Sequence, residues 1–238
     1  MIHQGVKTVR KQTPIQLTCD LKADLIDTMG SELSIVNAAR VSFNETHQEM
    51  SERDEGLIRF LMNNRHASPF EHCTATFRIE APIFVAREWH RHRTQSYNEW
   101  SGRYSEMEPL FYAPDYDRPI IQKGKPGAYY FEVSQNDEDN IMLYSNLRYS
   151  YQAAWNTYEI LLERGIAKEV ARMSLPVSIY TSWYATANLR NWLNFLSLRA
   201  EEHALFEIRQ LAFKVEEQLF KNFPISLENW DKAGRGPL

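Results

Sequence analysis

Residues 87 to 105 read Arg87-Glu88-Trp89-His90-Arg91-His92-Arg93-Thr94-Gln95-Ser96-Tyr97-Asn98-Glu99-Trp100-Ser101-Gly102-Arg103-Tyr104-Ser105. Four arginines and no lysine fall here, in a chain whose net charge is −4. Arginine offers a planar fork of donors that grips phosphate or carboxylate oxygens two at a time, whereas lysine is a point charge. An arginine cluster beside Ser, Asn, Glu and Gly therefore reads as a pocket for an oriented anionic small molecule. The competing reading is a solvated basic face with surface ion pairs. The stretch also sets the local fold. Ala81-Pro82 opens a helix, since the missing proline N–H costs nothing in the first turn. That helix is expected to carry Arg87 and Arg91 one turn apart and to deliver Arg91-His92-Arg93 at its C-terminal end. A loop over 94–105 follows, tightened at Gly102.

Upstream, Ala75, Phe77 and Ile79 alternate with Thr74, Thr76, Arg78 and Glu80, which predicts a strand with one buried face. A polar turn fixed by Pro69 precedes it. Before that, Ser51 caps a helix with Glu52, Asp54 and Glu55 in its first turn, where acids suit the dipole. Leu57, Ile58, Leu61 and Met62 are its buried stripe. Ser31 caps an earlier helix that runs into Val41-Ser42-Phe43, and Ile15 to Cys19 alternates as a short strand. Downstream, 104–131 is rich in Tyr and Pro and reads as a long loop, with Gly124 to Gly127 its most flexible part. Leu147, Tyr151, Ala154, Tyr158 and Leu161 form the stripe of a long helix that Gly165 stops. A short helix carries Glu169 and Arg172, and a second strand is expected over Val177 to Ala187. Asn188 caps a helix with Arg190 and Asn194 on one face and Arg199 further on. Leu205, Ile208, Ala212, Val215 and Leu219 mark a last helix ending by Pro224. The expected class is α+β, mostly helical, with a small, largely antiparallel sheet. The expected layout is a flexible arm over 1–14, one domain over 15–224 and a loose tail over 225–238.

Composition narrows the function. At 238 residues with 43% apolar and 24% charged residues, the chain suits a globular domain with a substantial core. No apolar run reaches the length of a membrane span, about 18 residues. Met1 to Gly5 lacks the charged-then-apolar layout of a signal peptide, so a cytoplasmic location is expected. The acidic net charge argues against nucleic-acid binding, which needs a broad basic footprint. Two cysteines, Cys19 and Cys73, make no disulfide framework and no paired metal motif; buried, inert thiols are the default reading.

Nine glycines include no phosphate-cradling glycine loop of either common kind. A bound dinucleotide would need side chains such as Arg91, Arg93 and Arg190 for its diphosphate. His90-x-His92 and the pair His66 and His72 lack a carboxylate at a matching spacing, and the arginines would compete with a cation. No metal site is expected. Ser101 and Ser105 sit near His92, but the nucleophile elbow GxSxG is absent and anion binding is the more natural role for Ser101. A metal-dependent hydrolase built on His66, His72, His90 and His92 and a nucleotide-binding regulator remain the alternatives.

Arg91-His92-Arg93, seven residues, then Ser101, within RHRxxSxNExSxRYS, resembles the signature of the flavin-dependent thymidylate synthases. The resemblance runs from about Ser31 to Pro224. It includes Ala39-Arg40-Val41-Ser42, His66 to Glu71, Ala81 to Arg87, Glu169 to Arg172, Leu175-Pro176 and the segment from Asn194 to His203. It implies formation of dTMP from dUMP with FAD, with 5,10-methylenetetrahydrofolate as carbon donor and NADPH as reductant. It implies no cysteine nucleophile, and a homotetramer. It places Ser42, Ser68, Glu71, Arg91, His92, Arg93, Thr94, Asn188, Arg190, Asn194 and His203 on the flavin side. It places Glu88, Arg91, Glu99, Ser101, Gly102, Arg103, Arg172 and Arg199 on the dUMP side, and gives Arg91, Ser101, Arg199 and His66 catalytic roles. Glu88 stands where the family often has glutamine. A carboxylate accepts but cannot donate, so that contact would be rewired. The plain alternatives are a helix-face amide for Asn194 and a satisfied core histidine for His203.

Overall fold

The computed structural model describes residues 13–238, so most of the arm expected over 1–14 lies outside the described residues. In chain order the elements are β1 (Gln16–Thr18), β2 (Lys22–Met29), α1 (Glu32–Arg40), α2 (Glu52–Asn63), β3 (Thr74–Pro82), α3 (Ile83–Trp89), β4 (Ser96–Glu99) and β5 (Leu110–Tyr112). Then come β6 (Ile121–Lys125), β7 (Ala128–Glu132), α4 (Asp137–Glu163), α5 (Lys168–Ala171), β8 (Tyr180–Asn188), α6 (Leu189–Arg199), α7 (Phe206–Asn222) and α8 (Pro224–Lys232). Short 3-10 turns cover Val41–Phe43, Ser68–His72 and Arg172–Ser174. The class is α+β, as expected. The chain divides into two compact units: residues 13–19, 101–122 and 131–180 form one, and 20–100, 123–130 and 181–238 the other.

The larger unit is built on a four-stranded sheet in the order β2-β3-β8-β4, with β2 antiparallel to β3 and β4 antiparallel to β8. The alternation read in β3 holds: Ala75, Phe77, Ile79 and Ala81 are buried. They share one core with Ile35 and Val36 of α1, Ile58 and Met62 of α2, Leu193 and Leu196 of α6, Ile208 and Val215 of α7 and Trp230 of α8. Each large apolar side chain so buried contributes on the order of 1.5–3 kcal/mol. Trp89, at the end of α3, lies 4.3 Å from the Phe195 ring and 5.6 Å from that of Trp183. It wedges the arginine stretch onto the core.

In the smaller unit β1 pairs in parallel with β5. The C-terminal half of α4 buries Tyr151, Trp155 and Tyr158, and the Tyr151 ring stacks on Phe111 at 5.1 Å. Gly165, at φ +76°, ends α4 as expected.

Four expectations change. The helix at 83 stops at Trp89, so Arg91 lies beyond it; tight i→i−3 bonds, Arg91 N–H to Glu88 O and His92 N–H to Trp89 O, turn the chain toward β4. The loop expected over 94–105 contains that strand, because Ser96 to Glu99 pairs with Trp183 to Thr186. The loop expected over 104–131 contains β5 and the hairpin β6–β7. Its two glycines form a tight turn at φ +90° and +85°, and a Cβ on Gly124 would sit 2.3 Å from Ala128 O. The tail expected to be loose forms α8. Its N-terminus is capped from a distance by the buried Glu32, whose carboxylate accepts the Ser226 N–H at 2.9 Å and the Ser226 hydroxyl at 2.7 Å. Burial pushes the Glu32 carboxyl up, against the Ser226 and Ile225 hydrogen bonds that lower it.

Candidate active site

The turn after α3 is held from behind. The Tyr97 hydroxyl donates to His92 O at 2.8 Å, and Gln95 Oε1 accepts the Trp89 indole N–H at 3.0 Å. With the backbone so fixed, Glu88, His90, Arg91, His92 and Arg93 line a cleft of about 800 Å³, closed by Leu198 and Arg199 from the end of α6. Arg199 is the organised member. Its Nε donates to His92 Nε2 at 2.9 Å, and its Nη1 and Nη2 donate to the Glu88 carboxylate and backbone oxygens at 3.2 Å. The bond from Arg199 requires a lone pair on His92 Nε2, so the imidazole is neutral with its proton on Nδ1. Burial and the Arg199 charge bring its pKa down to about 4. Arg91 and Arg93 are exposed and have no ion-pair partner among the described residues. Three arginines therefore face one glutamate, an anion-binding surplus lodged in a concave site.

A second cluster gathers at the start of α6. Asn188 caps the helix, its side chain accepting the Asn191 N–H at 2.9 Å, as the sequence reading has it. Arg190 forms an ion pair with Glu71, which the turn Ser68–His72 carries, and its Nε donates to Leu238 O at 3.2 Å. Asn194 Oδ1 accepts the Leu238 N–H at 2.8 Å. Ser68 and Thr94 are exposed; Thr94 O accepts from Asn191 Nδ2 at 3.3 Å. Ser42 is exposed on its 3-10 turn. His66 is exposed, its ring edge-on to Phe60 at 5.7 Å. His203 is exposed beside Glu202, which removes the core-histidine reading. Glu99 ends β4, where its carboxylate accepts the Thr181 hydroxyl at 2.8 Å.

The remaining dUMP-side candidates belong to the smaller unit; the division falls between Trp100 and Ser101. Ser101 opens a turn in which its O accepts the Tyr104 and Ser105 N–H groups at 3.1 and 3.2 Å, and its hydroxyl accepts the Arg103 N–H at 3.3 Å. A Cβ on Gly102 would meet Met107 Sδ at 2.7 Å, so the glycine lets Met107 pack against this turn, and Arg172 Cδ lies 3.4 Å from the same point. Arg103 donates from Nε to Glu169 at 3.2 Å. Ser101, Gly102, Arg103 and Arg172 thus lie in one local group, with the arginine of the turn paired to a carboxylate of α5.

Comparison with known proteins follows the same residues. The pattern of the family described as thymidylate synthase complementing protein matches residues 24–225. The chain belongs to the flavin-dependent thymidylate synthase family. It is 43% identical over 227 residues to the flavin-dependent thymidylate synthase of Tropheryma whipplei strain TW08/27, covering 91% of this chain and 94% of that one. It is 41% identical over 235 residues to the Streptomyces coelicolor enzyme of the same name, covering 93% and 95%. Among solved structures, a UMP/dUMP methylase, PolB from Streptomyces cacaoi bound with 5-Br UMP, superposes with a TM-score of 0.89 at 39% identity, over 95% of this chain and all of that one.

Within this member of the family, the fold brings Arg91, His92, Arg93, Glu88 and Arg199 to one cleft, and Glu71, Arg190 and Asn194 to one cluster. It adds residues that the sequence reading missed. His90 and Leu198 line the cleft. Leu198 could have been found by the helical step of four from Asn194, but His90 was weighed only as half of a metal pair. Leu238, bonded to both Arg190 and Asn194, has no local signal at all. Among the described residues no three His, Cys, Asp or Glu side chains are grouped as metal ligands.

Proposed function

We propose that the chain methylates dUMP reductively to dTMP, with 5,10-methylenetetrahydrofolate as carbon donor, NADPH as reductant and FAD as cofactor, and without a cysteine nucleophile. The observation that carries this is the cleft in which Arg91, Arg93 and Arg199 oppose a single glutamate, in a chain of this family. The donor set fits an anionic dinucleotide: no glycine cradle is present, and guanidinium groups with uncommitted donors take its place. Bound FAD would supply the hydride-transfer chemistry that no side chain carries.

The roles are those that the family resemblance implies. Arg103, Arg172, Ser101 and the Gly102 backbone would take the dUMP phosphate. Glu88 and His92 hold Arg199 in a fixed pose, so its charge is aimed without a reorganisation cost at the moment of reaction. Arg91 would share its donors between nucleotide and flavin, with Arg93, Ser42, Ser68, Glu71, Thr94, Asn188, Arg190, Asn194 and His203 on the flavin side, Glu99 on the nucleotide side and His66 at the rim. Because Arg199 already engages Glu88, the carboxylate at this position acts as a positioning group for the arginine. Cys73 supports a thiol-free route: it is buried, and burial with Glu32 nearby pushes its thiol up to about 11, despite the Ser31 backbone bond.

We further propose a cytoplasmic homotetramer that binds no nucleic acid, with a catalytic domain over 15–224. Among the described residues no helix is long and apolar enough to cross a membrane. The test is direct. Purified protein should show flavin absorbance that NADPH bleaches anaerobically, and should convert dUMP to dTMP only when the folate donor is present. UMP belongs in the same assay, since the Streptomyces cacaoi relative is a UMP/dUMP methylase. Colourless protein that takes up no added FAD would overturn the reading.

A further inference from the structure

The segment 233–238 lies beyond the family match, which ends at residue 225, yet it is tied down at three successive points. Arg235 sits at φ +55°, in the left-handed region that favours glycine, and side-chain contacts hold it there. Its guanidinium forms a two-pronged pair with Glu216 of α7 at 2.7 Å, reaches Asp231 at 3.0 Å and lies 4.5 Å from the centre of the Trp230 ring. Trp230 Nε1 in turn donates to Gly236 O at 2.8 Å. Two residues later the backbone of Leu238 meets α6: its N–H donates to Asn194 Oδ1, and its O accepts from Arg190 Nε.

The choice of atoms on α6 matters. The Asn194 side chain has one oxygen with two lone pairs and one NH2 group, and Leu238 engages one of those lone pairs. The amide is thereby fixed with its Nδ2–H2 turned the other way. Arg190 spends Nε on Leu238 and Nη1 on Glu71, and its Nη2 has no partner among the described residues. Both side chains are left fixed, with Asn194 Nδ2 and Arg190 Nη2 as donors that have no partner among the described residues. The segment takes Arg190 Nε and one lone pair of Asn194 Oδ1, and leaves Asn194 Nδ2 and Arg190 Nη2 available to a ligand.

We propose that segment 233–238 is a positioning strap: locked by Arg235, it uses the Leu238 backbone to pre-set Arg190 Nη2 and Asn194 Nδ2 as a pair of oriented donors for the carbonyl or phosphate oxygens of a ligand. That this ligand is the flavin rests on the reading given under Proposed function. Pre-organisation lowers the ordering cost of binding, so the strap should show in affinity.

The experiment titrates FAD into flavin-stripped full-length protein and into a variant lacking Pro237 and Leu238, followed by flavin fluorescence. The deletion should weaken FAD binding by about tenfold, as expected when pre-set contacts must be ordered on binding. Asn194→Ala and Arg190→Ala should each weaken it too. On the double Arg190→Ala, Asn194→Ala background the deletion should add nothing, a non-additivity that a merely structural role would not produce. Hydrogen exchange of the wild-type protein gives an independent readout should the deletion fail to fold: FAD should increase protection of 233–238. Unchanged affinity in the deletion, with loss in Asn194→Ala, overturns the strap and leaves the flavin-side reading standing. Tighter binding in the deletion, or reduced protection with FAD, overturns it in favour of competition. Unchanged affinity in all the variants overturns the flavin-side reading itself.

Discussion

Two charged clusters in the larger unit are built from the same side-chain types and end in opposite states. At the start of α2, Asp54 is fully buried, and its carboxylate accepts from Arg40 at 2.9 and 3.1 Å, from His47 Nδ1 at 3.0 Å and from the Ser51 hydroxyl at 2.6 Å. Every strong donor there has its acceptor. In the cleft, Arg91 and Arg93 are exposed and uncommitted, and only Arg199 is matched. A saturated cluster stabilises the fold and has nothing left to bind with. An unsaturated one contributes little to stability and keeps its donors for a ligand. The basic stretch is thus distinguished from an ordinary solvated face by its concave setting and by the rigid turn that displays it.

The comparison breaks most visibly at Asp54. Burial raises its carboxyl, but the Ser51, His47 and Arg40 hydrogen bonds outweigh that and hold it well below the usual carboxylate range. Asp54→Asn removes the buried charge that Arg40 and His47 Nδ1 contact, leaving Arg40 only the exposed Glu45, and should cost about 3–5 kcal/mol, the scale for breaking a buried pair from one side. Denaturant unfolding measures it. The sign with pH follows from the depressed carboxyl: its contribution is complete above the unfolded carboxyl range, near pH 4, and is lost as acid protonates it below that. The variant should lack this acid-sensitive component. An Asp54→Asn protein as stable as wild type would mean that saturation does not separate the two clusters.

The reverse holds for Arg91. Arg91→Ala should move the unfolding free energy by no more than about 0.5 kcal/mol, as for an exposed residue without partners. It should weaken dUMP or FAD binding by about 10- to 100-fold, the loss of a charge-assisted hydrogen bond. Calorimetry on the purified variant reads both quantities. Loss of stability without loss of binding would make the cleft arginines structural.

How far the sequence could reveal this depended on the range of each interaction. Ser51 with Asp54, Asn188 as a cap and the alternation of β3 are local patterns, and they are where they were expected. The arginine stretch was legible because its chemistry is carried by consecutive residues. β2 was not: Lys22 to Met29 holds two aspartates and a register shift between Leu25 and Asp27, and it is a strand because β3 lies beside it. Nor were the cap of α8 by Glu32, 194 positions from Ser226, or the tie between Leu238 and Asn194, 44 positions apart. Arg199 was legible as a candidate, but its fixing by Glu88 and His92 across more than 100 residues was not.

That fixing gives a finer test. With a folded pKa of about 4 against an ordinary value near 6.5, His92 is neutral where an unfolded histidine would take a proton. Between those values the unfolded chain binds more protons, so this group makes stability fall as pH drops from about 6.5 towards 4. Ring-proton NMR should show His92 titrating near 4. In Arg199→Ala the midpoint should rise without reaching the ordinary value, since burial, the larger cause, remains. A normal midpoint in wild type would mean that Arg199 does not donate to His92 and that the cleft is less ordered than the Asp54 cluster by more than its missing partners.

The smallest effect is expected at the cysteines, which belong to neither cluster. Cys73 is buried between α1 and β3, where its Sγ donates to Ser31 O at 3.3 Å and a Cβ on Gly30 would come within 2.8 Å of it. Its raised thiol leaves a thiolate fraction on the order of one in ten thousand at pH 7, and the thiolate is the nucleophile. Cys19 is exposed just beyond β1, which corrects the expectation of burial but places it outside every cluster of site residues described above. Serine is close in size at both positions and can keep the bond to Ser31. The double variant Cys19→Ser, Cys73→Ser should therefore retain turnover within about tenfold, a change of no more than about 1.4 kcal/mol in barrier. The measurement is dTMP formation in a variant shown to be folded and to hold FAD as tightly as wild type. If such a protein made no dTMP at all, a thiol would be in the reaction, and the arginine cleft would be a binding site without the chemistry assigned to it.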